Sequence, residues 1–251
     1  MNISIIGSCR IEKPVTHTGN VSECGLRGQF VHTTREIIQR INFLKGNLFP
    51  DNLIDYIFRG PIDQSKFRPI DFDKIDLFII EVSTLKYIKY NEYILQSINM
   101  RDETRKNTKF DNYYELHDFL EKCNNVTKND IDSTEEFFDF ARNIELGYQT
   151  YELLKKDIIE ILNLLEKPVL FVNHINVKVN GEYIEKRNLL SKYMNQLSKE
   201  LKFDIFNPNE IVEKYGEDKM LDDINHYSKY GEELIGKYIS NKAKRILKKR
   251  A

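Results

Sequence analysis

Short apolar runs without polar alternation recur along the chain, and they predict the strands of a buried sheet. They lie at Ile3–Ile6, Leu77–Val82 and Val169–Asn173, with a shorter run at 203–206 before Pro208. Strands that read this way are typical of parallel sheets covered by helices on both faces.

Between the runs, apolar residues return at helical spacing. This pattern predicts helices over 33–45, about 148–166 and about 229–249. Thr33 and Glu36 fit a capping box, and Ser228 is a good cap for the last helix. Alternating strands and helices predict an α/β fold with a central parallel sheet.

The stretch 97–134 is polar and rich in Asn and Asp, with one expected helix at 111–123. It reads as a helical insertion, either a lid over a site or surface decoration. Repeats and linkers rich in Pro, Gly or Ser are not evident, so residues 1–251 are expected to form a single domain.

Composition narrows the class of protein. The 251 residues are 41% hydrophobic and 31% charged, with a net charge of −1, which gives no global attraction to nucleic acid or to an anionic membrane. The basic end of the last helix is read as a solvated helix terminus, with nucleic acid as a distant alternative. The three cysteines lack C-x-x-C spacing, so neither a disulfide framework nor a metal site is expected. With no export signal or membrane span recognised, a cytoplasmic location is expected.

The first candidate for chemistry is Gly7-Ser8-Cys9-Arg10, directly after the first strand. A hydroxyl on a sharp turn between strand and helix can stand clear of the backbone, with N–H groups aimed at an oxyanion. Gly-Ser after a strand is also an ordinary turn. Cys9 is a rival nucleophile, and Ser8 is favoured because a free cysteine is commonly a core residue.

The second candidate is the stretch from Asp223 to Ser228, before the last helix. A carboxylate three residues ahead of a histidine can accept from imidazole Nδ1–H and leave Nε2 free to take a proton. Alone, Asp223 and His226 also fit a solvent-facing loop pair. Together with Ser8 after the first strand, they form a specific arrangement.

This arrangement resembles the SGNH, or GDSL-like, hydrolase superfamily. Ser8 matches the family's serine block, Asp223 and His226 match its D-x-x-H block, and Ser228 and Gly231 fit the frequent continuation of that block. The GSCR sequence resembles the GSCFA-type branch. The resemblance implies a flavodoxin-like three-layer α/β/α domain and a catalytic triad of Ser8, Asp223 and His226.

The resemblance also implies an oxyanion hole. Its donors would be Ser8 itself, Gly60 in FRGP, and Ser83. Where the family has an asparagine, this chain reads Glu81-Val82-Ser83-Thr84.

Two further residues are candidates for substrate binding. Arg10 would bind an anionic substrate or form a surface ion pair. His174 lies just past a strand's carboxyl end, where open parallel sheets bind ligands.

The resemblance implies a serine-dependent acyl-ester enzyme, an esterase or an O-acyltransferase, acting on a carbohydrate or glycan-linked acyl group. Hydrolysis would need no cofactor, whereas transfer would use acetyl-CoA as the acyl donor. The alternative is a non-catalytic module on the same scaffold that binds a glycan or a partner, which the missing asparagine makes credible.

Overall fold

The computed structural model describes residues 1–18, 28–107, 135–179 and 181–249. The helix expected at 111–123 lies outside the described residues, as do Cys24, His117 and Cys123. Of the insertion expected at 97–134, the first part is a helix and the remainder is outside the described residues.

The strands of the described chain are β1 (Ile3–Ile6), β2 (Leu77–Val82), β3 (Lys86–Tyr90), β4 (Tyr93–Leu95), β5 (Ile144–Tyr148), β6 (Val169–Asn173), β7 (Lys178–Val179), β8 (Glu182–Tyr183), β9 (Asp204–Phe206), β10 (Leu221–Asp223) and β11 (His226–Tyr227). The α-helices are α1 (Cys9–Thr16), α2 (Thr34–Leu44), α3 (Ile54–Ile57), α4 (Ser97–Asn107), α5 (Glu135–Ala141), α6 (Tyr151–Leu165), α7 (Glu185–Leu201), α8 (Asn209–Tyr215), α9 (Glu217–Met220) and α10 (Lys229–Lys248).

A four-stranded parallel sheet, in the order β1-β2-β6-β9, organises the molecule. The four apolar runs of the sequence form its strands, so that prediction is confirmed. Every residue of β2 and β6 is buried, as expected for strands covered on both faces. Since β1 pairs only with β2, it lies at one edge of the described sheet.

On one face, α1, α8 and α10 pack against the sheet. Ile3, Leu77, Ile79 and Leu170 share a buried cluster with residues of these helices. The two helices at opposite ends of the sequence approach closely: a Cβ added at Gly236 of α10 would lie 2.2 Å from the carbonyl oxygen of Pro14 in α1. A side chain there would push the helices apart.

Helices α2 and α6 pack on one another. The first begins at the predicted cap, where the Thr33 hydroxyl accepts the backbone N–H of Glu36. The second is capped by Thr150, whose hydroxyl accepts the backbone N–H of Leu153. The expected helix at 148–166 begins only at Tyr151. The residues ahead of Thr150 belong instead to β5, which hydrogen-bonds along β3.

The chain divides into two compact units. The first comprises 1–47, 68–85 and 150–251 and contains the parallel sheet. The second comprises 48–67 and 86–149 and contains the antiparallel sheet β4-β3-β5. Among the described residues, no helix is both long and apolar enough to cross a membrane.

Candidate active site

Ser8 occupies the turn between β1 and α1. Its backbone is extended, with φ −101° and ψ 179°, and its Oγ accepts a hydrogen bond from Arg10 N at 3.2 Å, which makes it the N-cap of α1. Gly7 permits this turn to lie against β2, because an added Cβ would stand 2.9 Å from Glu81 Cβ. Ser8 is only 1% exposed.

The Glu81 carboxylate is the main partner of Ser8. Glu81 Oε2 accepts hydrogen bonds from Ser8 N, at 3.1 Å, and from the Ser8 hydroxyl. Glu81 stands near the carboxyl end of β2 and is 2% exposed. Both donors that Ser8 offers therefore point at one buried carboxylate oxygen.

The other oxygen of Glu81 meets two nitrogen donors. Oε1 lies 3.4 Å from Arg10 Nε and 3.0 Å from His174 Nδ1. Burial would raise the pKa of Glu81, but the Arg10 guanidinium and the hydrogen bonds from His174 and Ser8 outweigh burial and hold this pKa well below its usual range. Burial, together with the charge of Arg10, lowers the pKa of His174 to about 4. At neutral pH, His174 is thus an uncharged donor to an ionised Glu81.

Asp223 and His226 lie at the tip of the β10–β11 hairpin. His226 Nδ1 is 2.8 Å from Asp223 Oδ2 and 3.0 Å from Asp223 Oδ1. The hydrogen bond from His226 and that from Asn225 N lower the pKa of Asp223. His226 is about half exposed, with 49% of its side chain accessible. The carboxylate is thereby placed to fix the imidazole tautomer and to leave Nε2 available.

Two arginines hold the backbone of this hairpin tip. Arg187, from α7, donates to the carbonyl oxygen of Ile224 at 2.8 Å and to the side-chain oxygen of Asn225. Arg10 donates through Nη1 to the carbonyl oxygen of Asn225 at 3.4 Å. Arg10 therefore connects the Ser8 turn with the loop that carries His226.

Ser8 and His226 lie in the same compact unit but are not hydrogen-bonded to one another in the described part of the chain. The Ser8 hydroxyl instead donates to Glu81. For Ser8 to give its proton to His226, the hydroxyl must turn away from Glu81. The triad of Ser8, Asp223 and His226 stays a prediction.

The remaining predicted site residues are less directly placed. Ser83 Oγ is 3.0 Å from His32 Nδ1, so its hydroxyl is already engaged. Gly60 belongs to the second unit, where it is exposed with φ 87°. Their roles as oxyanion donors stay predictions. Arg10 and His174, expected to bind substrate, both contact Glu81.

Cys9, the rival nucleophile, is the first residue of α1 and is partly exposed as a free thiol. Within the described ranges, no group of three or more His, Cys, Asp or Glu side chains could hold a metal ion.

Sequence reasoning did not assign roles to two residues of this site. Glu81 carried a signal, since a carboxylate inside an otherwise apolar buried strand needs a partner. Arg187 carried none, because an arginine in an amphipathic helix is ordinary until the fold brings the hairpin tip to it.

Comparison with known proteins finds one curated relative and several solved structures of similar fold. It is 26% identical over 263 residues to the Vi polysaccharide biosynthesis protein TviD of Salmonella typhi, with 93% of this chain aligned. The chain spans about 30% of the length of that relative. Among solved structures, two catalytic mutants of Axe2, an acetylxylan esterase from Geobacillus stearothermophilus, align over 96% of this chain and 93% of theirs. Their TM-scores are 0.41 and 0.40, at 10% and 11% identity. Likeness at that level carries no inference about function. The family model of the TviD N-terminal domain matches residues 1–242, and the chain belongs to this family.

Proposed function

We propose that this protein is a serine-dependent acyl-ester enzyme of the SGNH type that acts on a carbohydrate-linked acyl group. The observation that carries the proposal is the Asp223–His226 pair, whose hairpin tip is linked through Arg10 to the turn that holds Ser8. Assignment to the GSCFA-type branch is part of this proposal.

The roles follow from the chemistry of these side chains. Ser8 Oγ attacks the acyl carbonyl carbon while its proton passes to His226 Nε2, and Asp223 stabilises the imidazolium that forms. The C–O or C–S bond of the donor then breaks, and His226 returns the proton to the leaving oxygen or sulfur. Water or a sugar hydroxyl next attacks the acyl carbon while its proton passes to His226. The bond between that carbon and Ser8 Oγ then breaks, and His226 returns the proton to Oγ.

The relative's role in Vi polysaccharide biosynthesis favours transfer to a glycan over simple hydrolysis. In that case acetyl-CoA is the proposed acyl donor, and a sugar hydroxyl of a polysaccharide or its precursor is the acceptor. Ser8 N–H and Ser83 remain proposed oxyanion donors, and each would have to leave its present partner, Glu81 or His32, to serve.

The test is covalent labelling with a fluorophosphonate, followed by peptide mass spectrometry. Stoichiometric modification at Ser8, lost in Ser8→Ala and kept in Cys9→Ala, supports the proposal. Loss of acyl transfer in Cys9→Ala, with Ser8→Ala still active, would identify the thiol as nucleophile and refute the serine.

Whether the protein transfers the acyl group or hydrolyses the ester is tested by measuring CoA release from acetyl-CoA with and without a panel of glycans. Release that a glycan accelerates supports transfer. Rapid ester hydrolysis that no acceptor changes would identify an esterase.

A second candidate is a non-catalytic glycan-binding module. The engagement of both Ser8 donors by Glu81 favours it, because these are the groups an acyl substrate would need. If the protein binds a glycan but reacts with no acyl donor, it is this binding module.

A further inference from the structure

Glu81 joins the groups of the candidate site from within. Its Oε2 accepts hydrogen bonds from Ser8 N and the Ser8 hydroxyl. Its Oε1 accepts hydrogen bonds from Arg10 Nε and His174 Nδ1. Four donors from three residues, Ser8, Arg10 and His174, thus converge on one carboxylate. If a neutral side chain replaced this carboxylate, at least one of these donors would be left without an acceptor.

Arg10 extends this network to the histidine loop. Its Nε meets Glu81 while its Nη1 meets the carbonyl oxygen of Asn225, which lies between Asp223 and His226. The planar guanidinium offers donors in fixed directions, so it can hold both acceptors at a set spacing, which a lysine ammonium cannot. The side chain of Arg10 is 13% exposed.

Glu81 and Arg10 form an ion pair in which the loss of one member affects the other. Glu81 is buried and Arg10 is partly buried, so removal of Arg10 would leave a buried carboxylate without its compensating charge. The uncharged His174 adds a hydrogen bond without adding charge. At neutral pH the network therefore holds an ionised Glu81 and an uncharged His174.

We propose that Glu81 and Arg10 are positioning residues that set the spacing between the Ser8 turn and the His226 loop. Glu81 fixes the turn, and Arg10 transmits that position to the loop. On this assignment Arg10 acts through the loop rather than by binding an anionic substrate. The proposal deepens the proposed function, on which its kinetic part rests.

The test compares Glu81→Gln and Arg10→Lys with a matched control, Asp157→Asn. Asp157 is also a buried carboxylate of the first unit that meets a hydroxyl and an arginine, Thr34 and Arg35, but it lies in α6, away from the Ser8 turn. The first readout is hydrogen exchange of peptides covering 221–227. We expect both test variants to lose protection there and the control to keep it.

The second readout separates positioning from substrate binding. Both test variants should lower kcat by about 10- to 100-fold, the usual effect of misplacing a catalytic group by an ångström or less, and change KM less than about twofold. If Arg10→Lys instead raises KM at unchanged kcat, Arg10 binds substrate and the proposal is wrong.

The outcomes also separate this proposal from the proposed function. If the wild-type protein performs no acyl chemistry but the variants lose protection, the positioning network is supported and the proposed enzymatic function is refuted. Unchanged protection and unchanged kcat in an active protein would refute the network. Should Glu81→Gln fail to fold, Arg10→Lys carries both readouts, since it keeps the charge beside Glu81.

Discussion

Asp223 and His226 meet because they are three residues apart on one short hairpin, so their pairing needs little help from the rest of the fold. Asp223 accepts from Asn225 N as well as from the imidazole, which folds the tip back on itself. A local interaction of this kind could be predicted from the sequence alone. The partner of Ser8 could not, because Glu81 lies 73 positions away in the sequence.

We expect Asp223→Asn to lower the rate of acyl chemistry by at least about 100-fold with little effect on substrate affinity, because the amide favours the wrong imidazole tautomer. Single-turnover kinetics with an activated acyl ester measure the effect. The control is Asp222→Asn, the adjacent exposed aspartate. The hydrogen bonds from His226 and Asn225 N lower the pKa of the wild-type Asp223 carboxylate, which favours its ionised form. An unaltered rate in Asp223→Asn would show that Asp223 is a loop residue without a catalytic role.

At the scale of elements, the apolar runs and helix caps of the sequence were reliable guides to the first unit. The Thr33 cap and the strand at Leu77–Val82 stand where expected, because local signals determine both. The antiparallel strands β3 and β5 were missed. They mix charged and apolar residues, and their pairing joins segments more than 50 residues apart, which periodicity within one window cannot detect.

The N-terminal turn of α2 predicts a pH effect. Burial raises the pKa of Glu36 to about 7, against hydrogen bonds from His32 N and Thr33 N that lower it. Since the folded state holds this proton more tightly than the unfolded state, Glu36 should make the protein less stable as pH rises from about 4.5 to 7, by up to about 3 kcal/mol.

Urea unfolding of wild type and Glu36→Gln across that range measures this contribution, and the difference between the two proteins isolates it from other groups. We expect the variant to lose less stability with rising pH. Parallel pH profiles for the two proteins would contradict the assignment.

The close approach of α1 and α10 gives a second prediction at this scale. Gly236→Ala places a methyl group against the Pro14 carbonyl, so the helices must separate, at a cost of about 1–3 kcal/mol in free energy of unfolding. Because Ser8 is the N-cap of α1, turnover should fall as well. Denaturant unfolding measures the first effect, with Lys244→Ala on the exposed side of α10 as control. Stability equal to that of the control would show that the contact is not tight.

At the scale of the whole molecule, the parallel sheet brings sequence-distant residues together. It sets β1 beside β2, and so places Ser8 against Glu81. The general arrangement of sheet and helices was predictable, because it follows from the order of apolar runs. The network around Glu81 was not, since it depends on which side chains of three separate segments point to a common place.

Hydrogen exchange should follow the strand order. Amides of β2 and β6, which have strand neighbours on both sides, should exchange most slowly in the first unit, whereas β1 and β9 should exchange sooner. Peptide-level mass spectrometry after deuteration measures the order. Slowest exchange in β9 would contradict the described topology.

The contact between Arg10 and Asn225 spans 215 positions of sequence. A ribosome making this protein translates Ser8 early, but the histidine loop emerges only after almost the whole first unit has been translated. Domains can begin to fold during synthesis, yet this contact has to wait for that late segment. If Ser8 and His226 act as proposed, nascent chains that stall before the hairpin would carry the serine without its base.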